Sequence, residues 1–259
     1  MSGKHVVVQR NPELLAAATA ARLVTRLVDV QATRGTASVV LTGGGVGIAV
    51  LEQLRHSPAC DAIDWSRIDF YWGDERFVPA DDEERNELQA RRALLDHVPV
   101  DEARIFPMAA AGGEFGDDPD AAAAAYQRIL AEQAAREHHA EVPAFDVLLL
   151  GMGGEGHTAS IFPEAPAAYE DERAVVAVRN CPKPPPTRVS LTLPAIRHAI
   201  EVWVITAGEA KADAVALALS GAGEVQLPVA GATGQVRTQW LLDRAAASKL
   251  SGNYLPPLG

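Results

Sequence analysis

The stretch Phe145-Asp146-Val147-Leu148-Leu149-Leu150, running directly into Gly151-Met152-Gly153-Gly154-Glu155-Gly156-His157-Thr158-Ala159-Ser160-Ile161-Phe162-Pro163, decides the fold. An apolar run of strand length stops in four glycines, and the first side chain after them that titrates near neutral pH is a histidine. Glycines let the backbone turn sharply and approach a ligand closely. The carboxyl end of a sheet strand is where open α/β folds place their ligands. His157 is therefore the leading catalytic candidate.

Working outward, apolar strand-like runs alternate with amphipathic helical ones. This pattern predicts an α/β fold: a single doubly wound, mostly parallel sheet flanked by helices, forming one domain over residues 1–259. The predicted strands are 37–41, 68–72, 104–107, 145–150, 174–178 and 201–206. Asn11 followed by Pro12 opens a helix that Gly35 ends. Asp118-Pro119 opens a second helix through Arg136, and a third is expected from about Glu209 to Ser220, stopped by Gly221. The alanines at 121–125 are explained by helix propensity and carry no chemistry. Cys181-Pro182-Lys183-Pro184-Pro185-Pro186 predicts a stiff extended loop, either a plain connection or a lid edge that holds Arg188.

The chain has 259 residues, 48% of them hydrophobic, enough for a full core. Its formal charge of −11 argues against nucleic-acid or anionic-membrane partners, so an anionic ligand must be held by local groups. Cys60 and Cys181 lie far apart without a metal-ligand pattern, so no disulfide and no metal site are expected. No run has the length to span a bilayer, and residues 1–10 do not read as a signal peptide. The expectation is a cytoplasmic protein, monomeric or a weak homo-oligomer.

Three further segments end strands in polar groups. Val39-Val40-Leu41-Thr42-Gly43-Gly44-Gly45-Val46-Gly47 leads through glycines into a helix expected to start near Ile48. Backbone N–H groups at such a helix start suit a phosphate, although the loop matches neither the dinucleotide fingerprint nor the P-loop and also reads as a plain tight turn. In Trp72-Gly73-Asp74-Glu75-Arg76-Phe77-Val78-Pro79 a strand would aim Asp74 into a cleft, and Arg76 can bind phosphate or carboxylate bidentately. Glu75 is less apt, since adjacent residues need not face the same cleft. Arg188 reads alone as a surface arginine, and Lys211 as a solvated lysine within reach of an anion. His5, His56, His97, His138, His139 and His198 lie in polar or helix-end contexts and read as surface residues. No Gly-x-Ser-x-Gly elbow is present.

Taken together, the Thr42–Gly45 loop, residues 72–79, Gly151 to Pro163 and Lys183 to Pro194 resemble the 6-phosphogluconolactonase family, with the Gly156-His157-Thr158-Ala159-Ser160-Ile161-Phe162-Pro163 segment the most specific element. The resemblance implies the NagB/RpiA-like fold shared with glucosamine-6-phosphate isomerase/deaminase. It further implies hydrolysis of 6-phosphogluconolactone to 6-phosphogluconate in the pentose phosphate pathway, without a cofactor. With the residue logic above, it implies catalytic roles for His157 and Asp74, the latter orienting sugar hydroxyls or His157. Substrate or phosphate binding would fall to Thr42, Gly43, Gly44, Gly45, Arg76, Gly156, Arg188 and Lys211. Two departures stand out: Gly45-Val46-Gly47 replaces the hydroxyls frequent in the family's glycine loop, and Glu155 stands where an aspartate is usual. The alternatives are an amino-sugar-phosphate isomerase/deaminase and a sugar-phosphate sensor without turnover, though no basic helix-turn-helix accompanies the site.

Overall fold

A strand with helices on both faces has no polar face to show, and this explains the unbroken apolar run before Gly151. The computed structural model, which describes residues 4–136 and 141–250, contains in chain order β1 (Lys4–Gln9), α1 (Pro12–Arg34), β2 (Ala37–Leu41), α2 (Gly44–Arg55), β3 (Ile68–Trp72), β4 (Asp74–Arg76), α3 (Asn86–Ala93), α4 (Pro119–Arg136), β5 (Val147–Leu150), β6 (Val175–Val178), β7 (Arg188–Leu191), α5 (Leu193–Ile196), β8 (Glu201–Thr206), α6 (Ala212–Leu219) and β9 (Arg237–Asp243). Along β5, Val147 and Leu149 join the core formed with α1, α2 and α3, while Leu148 and Leu150 join the core formed with α4, α5 and α6. Val39 and Val40 of β2, and Val202 and Trp203 of β8, divide between the two cores in the same way.

The main sheet has the order β3-β2-β5-β8-β9-β1 with every pairing parallel. From β2 the chain moves outward to β3 and then returns to the other flank of β2 as β5. The crossover helices diverge at that point, so a crevice opens past the carboxyl ends of β2 and β5. Its register is bolted from below. The Asp146 carboxylate, in a residue only 3% exposed, accepts from the Ser38 amide at 2.9 Å and hydroxyl at 3.2 Å and pairs with Arg34.

Helix α1 begins as its sequence predicts. Asn11 accepts the Leu14 amide, Pro12 starts the helix, and Gly35 closes it in the left-handed region at φ 80°. The 174–178 run differs from expectation. It forms β6 in a separate antiparallel sheet of order β4-β7-β6, because its neighbour in the chain is the hairpin partner β7. Residues 104–107 form no strand; Ile105 makes a single bridge to Phe70, and Pro107 cannot donate to a continuing ladder. Helix α2 starts at Gly44 and not near Ile48, the glycines taking the chain from strand to helix at once. The segment expected to be helical from Glu209 is a 3-10 turn at Glu209–Lys211 followed by α6. Among the described residues no helix is long and apolar enough to cross a membrane.

Candidate active site

Three walls enclose the crevice. The first is the end of β2. Thr42 Oγ1 accepts the Gly151 amide at 3.3 Å, and Thr158 Oγ1 donates to the Gly151 carbonyl at 2.9 Å, so the loops after β2 and β5 are held together. Gly43 and Gly44 line the crevice. No side chain caps α2, which leaves its first amides and the positive end of its dipole for a ligand.

The second wall comes from the small sheet. Antiparallel pairing sets Arg76 opposite Arg188 and Asp74 opposite Ser190. Arg188, read from sequence as a surface residue, is only 5% exposed, and Asp74 is 6% exposed. Ser160 Oγ donates to Asp74 Oδ2 at 2.6 Å, and Arg188 Nη1 lies 4.0 Å from that oxygen. Arg188 Nε and Nη2 donate to the Pro185 and Lys183 carbonyls at 3.1 and 3.0 Å, and its guanidinium sits 5.9 Å from the Phe162 ring centre. The proline-rich loop thus supplies acceptors that aim the side chain. Arg76 Nη1 donates to the Glu84 carbonyl. Like charges directly opposite each other across a ladder are destabilising, and the carboxylates of Glu84, 3.7 Å from Arg76, and Asp74 offset part of that cost.

The third wall is the glycine turn after β5. His157 Nδ1 lies 2.8 Å from Glu155 Oε1, and the ring stacks on Phe162 with centroids 4.4 Å apart. A Cβ on Gly153 would overlap this ring and the Glu155 carboxylate, so glycine there admits the imidazole. Lys183 Nζ completes the chain, 2.9 Å from Glu155 Oε1. Burial pushes the Glu155 carboxyl up, but hydrogen bonds from its own backbone amide, Lys183 and His157 outweigh this and bring it down to about 2. Burial pulls the His157 imidazolium down, the Glu155 hydrogen bond and charge push it back, and the ring ends below the usual imidazole value. An ionised carboxylate only accepts, so Nδ1 carries the hydrogen and Nε2 keeps its lone pair. The result is a neutral, oriented base at neutral pH.

Thr42, Gly43, Gly44, Asp74, Arg76, His157 and Arg188 thus line one crevice, together with Asn86, Gly151, Met152 and Ala159. Gly45, Gly156 and Lys211 do not line it. Gly45 lies in the first turn of α2, beyond the lining residues. Gly156 is turned at φ 88° beneath Leu227, where a Cβ would overlap that side chain. Lys211 belongs to the turn packed on Gly154, beside Lys183 and Glu155. The Asp74 carboxylate is engaged by Ser160, and the residue holding His157 is Glu155. Glu75 turns away from the crevice and binds the start of α3. His56 and His97 are exposed and bond backbone carbonyls, while His138 and His139 lie outside the described residues.

Sequence reasoning gave no role to Asn86, Lys183, Ser160 or Glu155. For Glu155 and Ser160 the available signal was proximity to His157; for Lys183 it was the rigid prolines that follow. Asn86 gave none, because α3 (Asn-Glu-Leu-Gln-Ala-Arg-Arg-Ala) has almost no apolar stripe. Among the described residues no cluster of three or more His, Cys, Asp or Glu side chains is placed to hold a metal ion.

The family model described as glucosamine-6-phosphate isomerases/6-phosphogluconolactonase matches residues 10–240. The chain is 60% identical over 253 residues to a 6-phosphogluconolactonase of Streptomyces coelicolor, covering 98% of this chain and 97% of the relative. It is 54% identical to a 6-phosphogluconolactonase of Mycobacterium tuberculosis, over 92% of this chain and 95% of the relative. Its structure is similar to that of 6-phosphogluconolactonase from Trypanosoma cruzi, with a TM-score of 0.82 at 28% identity over 97% of this chain and 98% of that one.

Proposed function

The chain belongs to the glucosamine-6-phosphate isomerase/6-phosphogluconolactonase family, and from that premise we propose that its crevice hydrolyses 6-phospho-D-glucono-1,5-lactone to 6-phosphogluconate with His157 as general base. The enzyme is a carboxylic ester hydrolase acting on a lactone, and its small-molecule partner is a phosphorylated sugar lactone. The observation that carries the assignment of roles is the meeting, in one crevice, of a neutral carboxylate-oriented imidazole with two arginines placed opposite each other.

In this reading water gives a proton to His157 Nε2 as its oxygen attacks the lactone carbonyl carbon. The carbonyl oxygen becomes an alkoxide, and the first amides of α2 stabilise it without reorganising. Collapse of the tetrahedral intermediate breaks the bond from the carbonyl carbon to the ring oxygen, and the imidazolium returns its proton to that oxygen. Glu155, ionised throughout, favours the transient imidazolium. General-base action of this kind contributes roughly 10²- to 10⁴-fold. A six-membered lactone is reactive enough to need no covalent intermediate. Arg76 and Arg188 hold the phosphate, with Lys211 and Lys183 adding positive charge at the rim, so remote binding energy fixes the ring against the base. Asp74 accepts sugar hydroxyls.

The test follows acid release from freshly generated 6-phosphogluconolactone against the spontaneous rate, with the unphosphorylated lactone in parallel. The reading expects catalysis of the phosphorylated substrate and a KM at least tenfold higher for the other. Equal kinetics on both would remove the paired arginines from substrate binding.

A further inference from the structure

Glu75 stands between two residues that line the crevice, yet its side chain leaves the crevice and the residue is 1% exposed. Its carboxylate accepts three backbone amides: Oε1 takes those of Arg76 at 2.8 Å and Asn86 at 2.7 Å, and Oε2 takes that of Glu87 at 2.9 Å. Two of these are the first amides of α3, whose own N-cap residue, Arg85, gives no side-chain cap. A helix start without a cap leaves buried orphan donors, and Glu75 meets them from another element. The buried Arg85 guanidinium lies 3.7 Å from Glu75 and is itself anchored on Glu87 and the Met108 carbonyl.

What this anchorage fixes is Asn86, the first residue of α3 and 2% exposed. Its Nδ2 donates to the Asp74 carbonyl at 2.8 Å, and its amide group fills the space where a Cβ of Gly43 would stand. Asn86 therefore touches both walls of the crevice, the Thr42–Gly44 loop on one side and the Asp74 strand on the other. We propose that Glu75 is a positioning residue: by holding the first turn of α3 it sets Asn86 as the spacer that fixes the distance between the α2 amides and the Asp74–Arg76 wall. Gly43 is glycine, on this account, because Asn86 occupies its side-chain space. This rests on the lactonase reading above.

The spacer separates groups that act in the transition state, and misplacement near 1 Å costs up to about 10²-fold in rate. The parent chain, Glu75→Gln, Glu75→Ala, Asn86→Ala, Gly43→Ala and the double variant Gly43→Ala/Asn86→Ala are compared by steady-state lactone hydrolysis per folded molecule, the folded fraction being read by circular dichroism at the assay temperature. The expected result is a kcat for both Glu75 variants that falls roughly ten- to a hundredfold with KM changed less than about threefold. Gly43→Ala loses at least as much, and adding Asn86→Ala restores part of that loss, since removing the amide removes the overlap. Should an active parent give Glu75 variants with kcat within twofold per folded molecule, or a double variant no faster than Gly43→Ala alone, the spacer is overturned while the lactonase reading stands. A parent without lactone hydrolysis would instead overturn both.

Discussion

Replacing Glu155 with glutamine tests the base through its support. The substitution keeps the size of the side chain and an oxygen that can still accept from His157 Nδ1 at the present 2.8 Å, but removes the negative charge shared with Lys183. A hydrogen bond to a charged group contributes about 1.5–3 kcal/mol. A neutral acceptor in the same place contributes about 0.5–1.5 kcal/mol, so with the Glu155 side chain 36% exposed and screened by solvent the exchange removes about 1–1.5 kcal/mol. That corresponds to a kcat reduced roughly five- to twelvefold, because the charge acts on the imidazolium formed as water attacks. The pH profile gives a second, signed readout. Burial already holds the His157 pKa below its usual value, and Glu155 opposes that pull while Lys183 adds to it. Without the carboxylate the imidazolium is less favoured, so the acid limb of kcat/KM moves to lower pH. Initial rates on fresh 6-phosphogluconolactone in a pH-stat between pH 5 and 8, corrected for spontaneous hydrolysis, measure both quantities. A kcat within twofold of the parent, with an acid limb that stays put or moves up, would refute the role given to Glu155.

Other outcomes follow from the same geometry. Ser160→Ala removes the 2.6 Å donor to the buried Asp74 carboxylate and should lower kcat by roughly tenfold while costing about 1–3 kcal/mol of folded stability, seen in parallel kinetics and thermal melts. Gly156→Ala forces a side chain into φ 88° and into Leu227, so chemical denaturation should show a loss of about 1–3 kcal/mol. Asn11→Ala, far from the crevice, should cost about 1 kcal/mol of stability through the lost cap on α1 and leave kcat unchanged. The Glu155 carboxyl is held down at about 2 in the folded chain, so its contribution is present above its unfolded value and fades as pH falls toward 2. Denaturation of the parent and Glu155→Gln should therefore differ by no more than about 1 kcal/mol near neutrality and converge in acid.

How much of this was legible depends on how each element is buried. β2 lies inside the parallel sheet and β3, though at its edge, is buried at every position but Asp69, so 37–41 and 68–72 announced themselves as apolar runs between turn signals. β1 is an edge strand, half-buried at every position but the exposed His5, and its short run of valines gave no period to read. β9 carries Thr238 and Gln239, whose side chains bond Gly234 and Glu201, and this polar content hid a strand that is buried from Thr238 to Asp243. Local pattern did mark 174–178 as extended but could not assign its sheet, because pairing with β7 depends on a connection that folds back through the prolines. In the crevice, His157, Asp74 and Arg76 follow strands or glycine turns and could be named from chain position alone. The Arg76–Arg188 opposition, the Ser160 grip on Asp74 and the Asn86 spacer are products of register between distant segments, and no local signal encodes them.

The most direct test is the rate of 6-phosphogluconolactone hydrolysis by His157→Ala at saturating substrate, with KM measured on the same preparation. The account predicts a kcat lower by at least about 10²-fold and a KM within a few fold, since the phosphate is held by Arg76 and Arg188 whether or not the base is present. A variant that turns over the lactone within threefold of the parent would contradict it, and the proton acceptor would have to be sought elsewhere in the crevice.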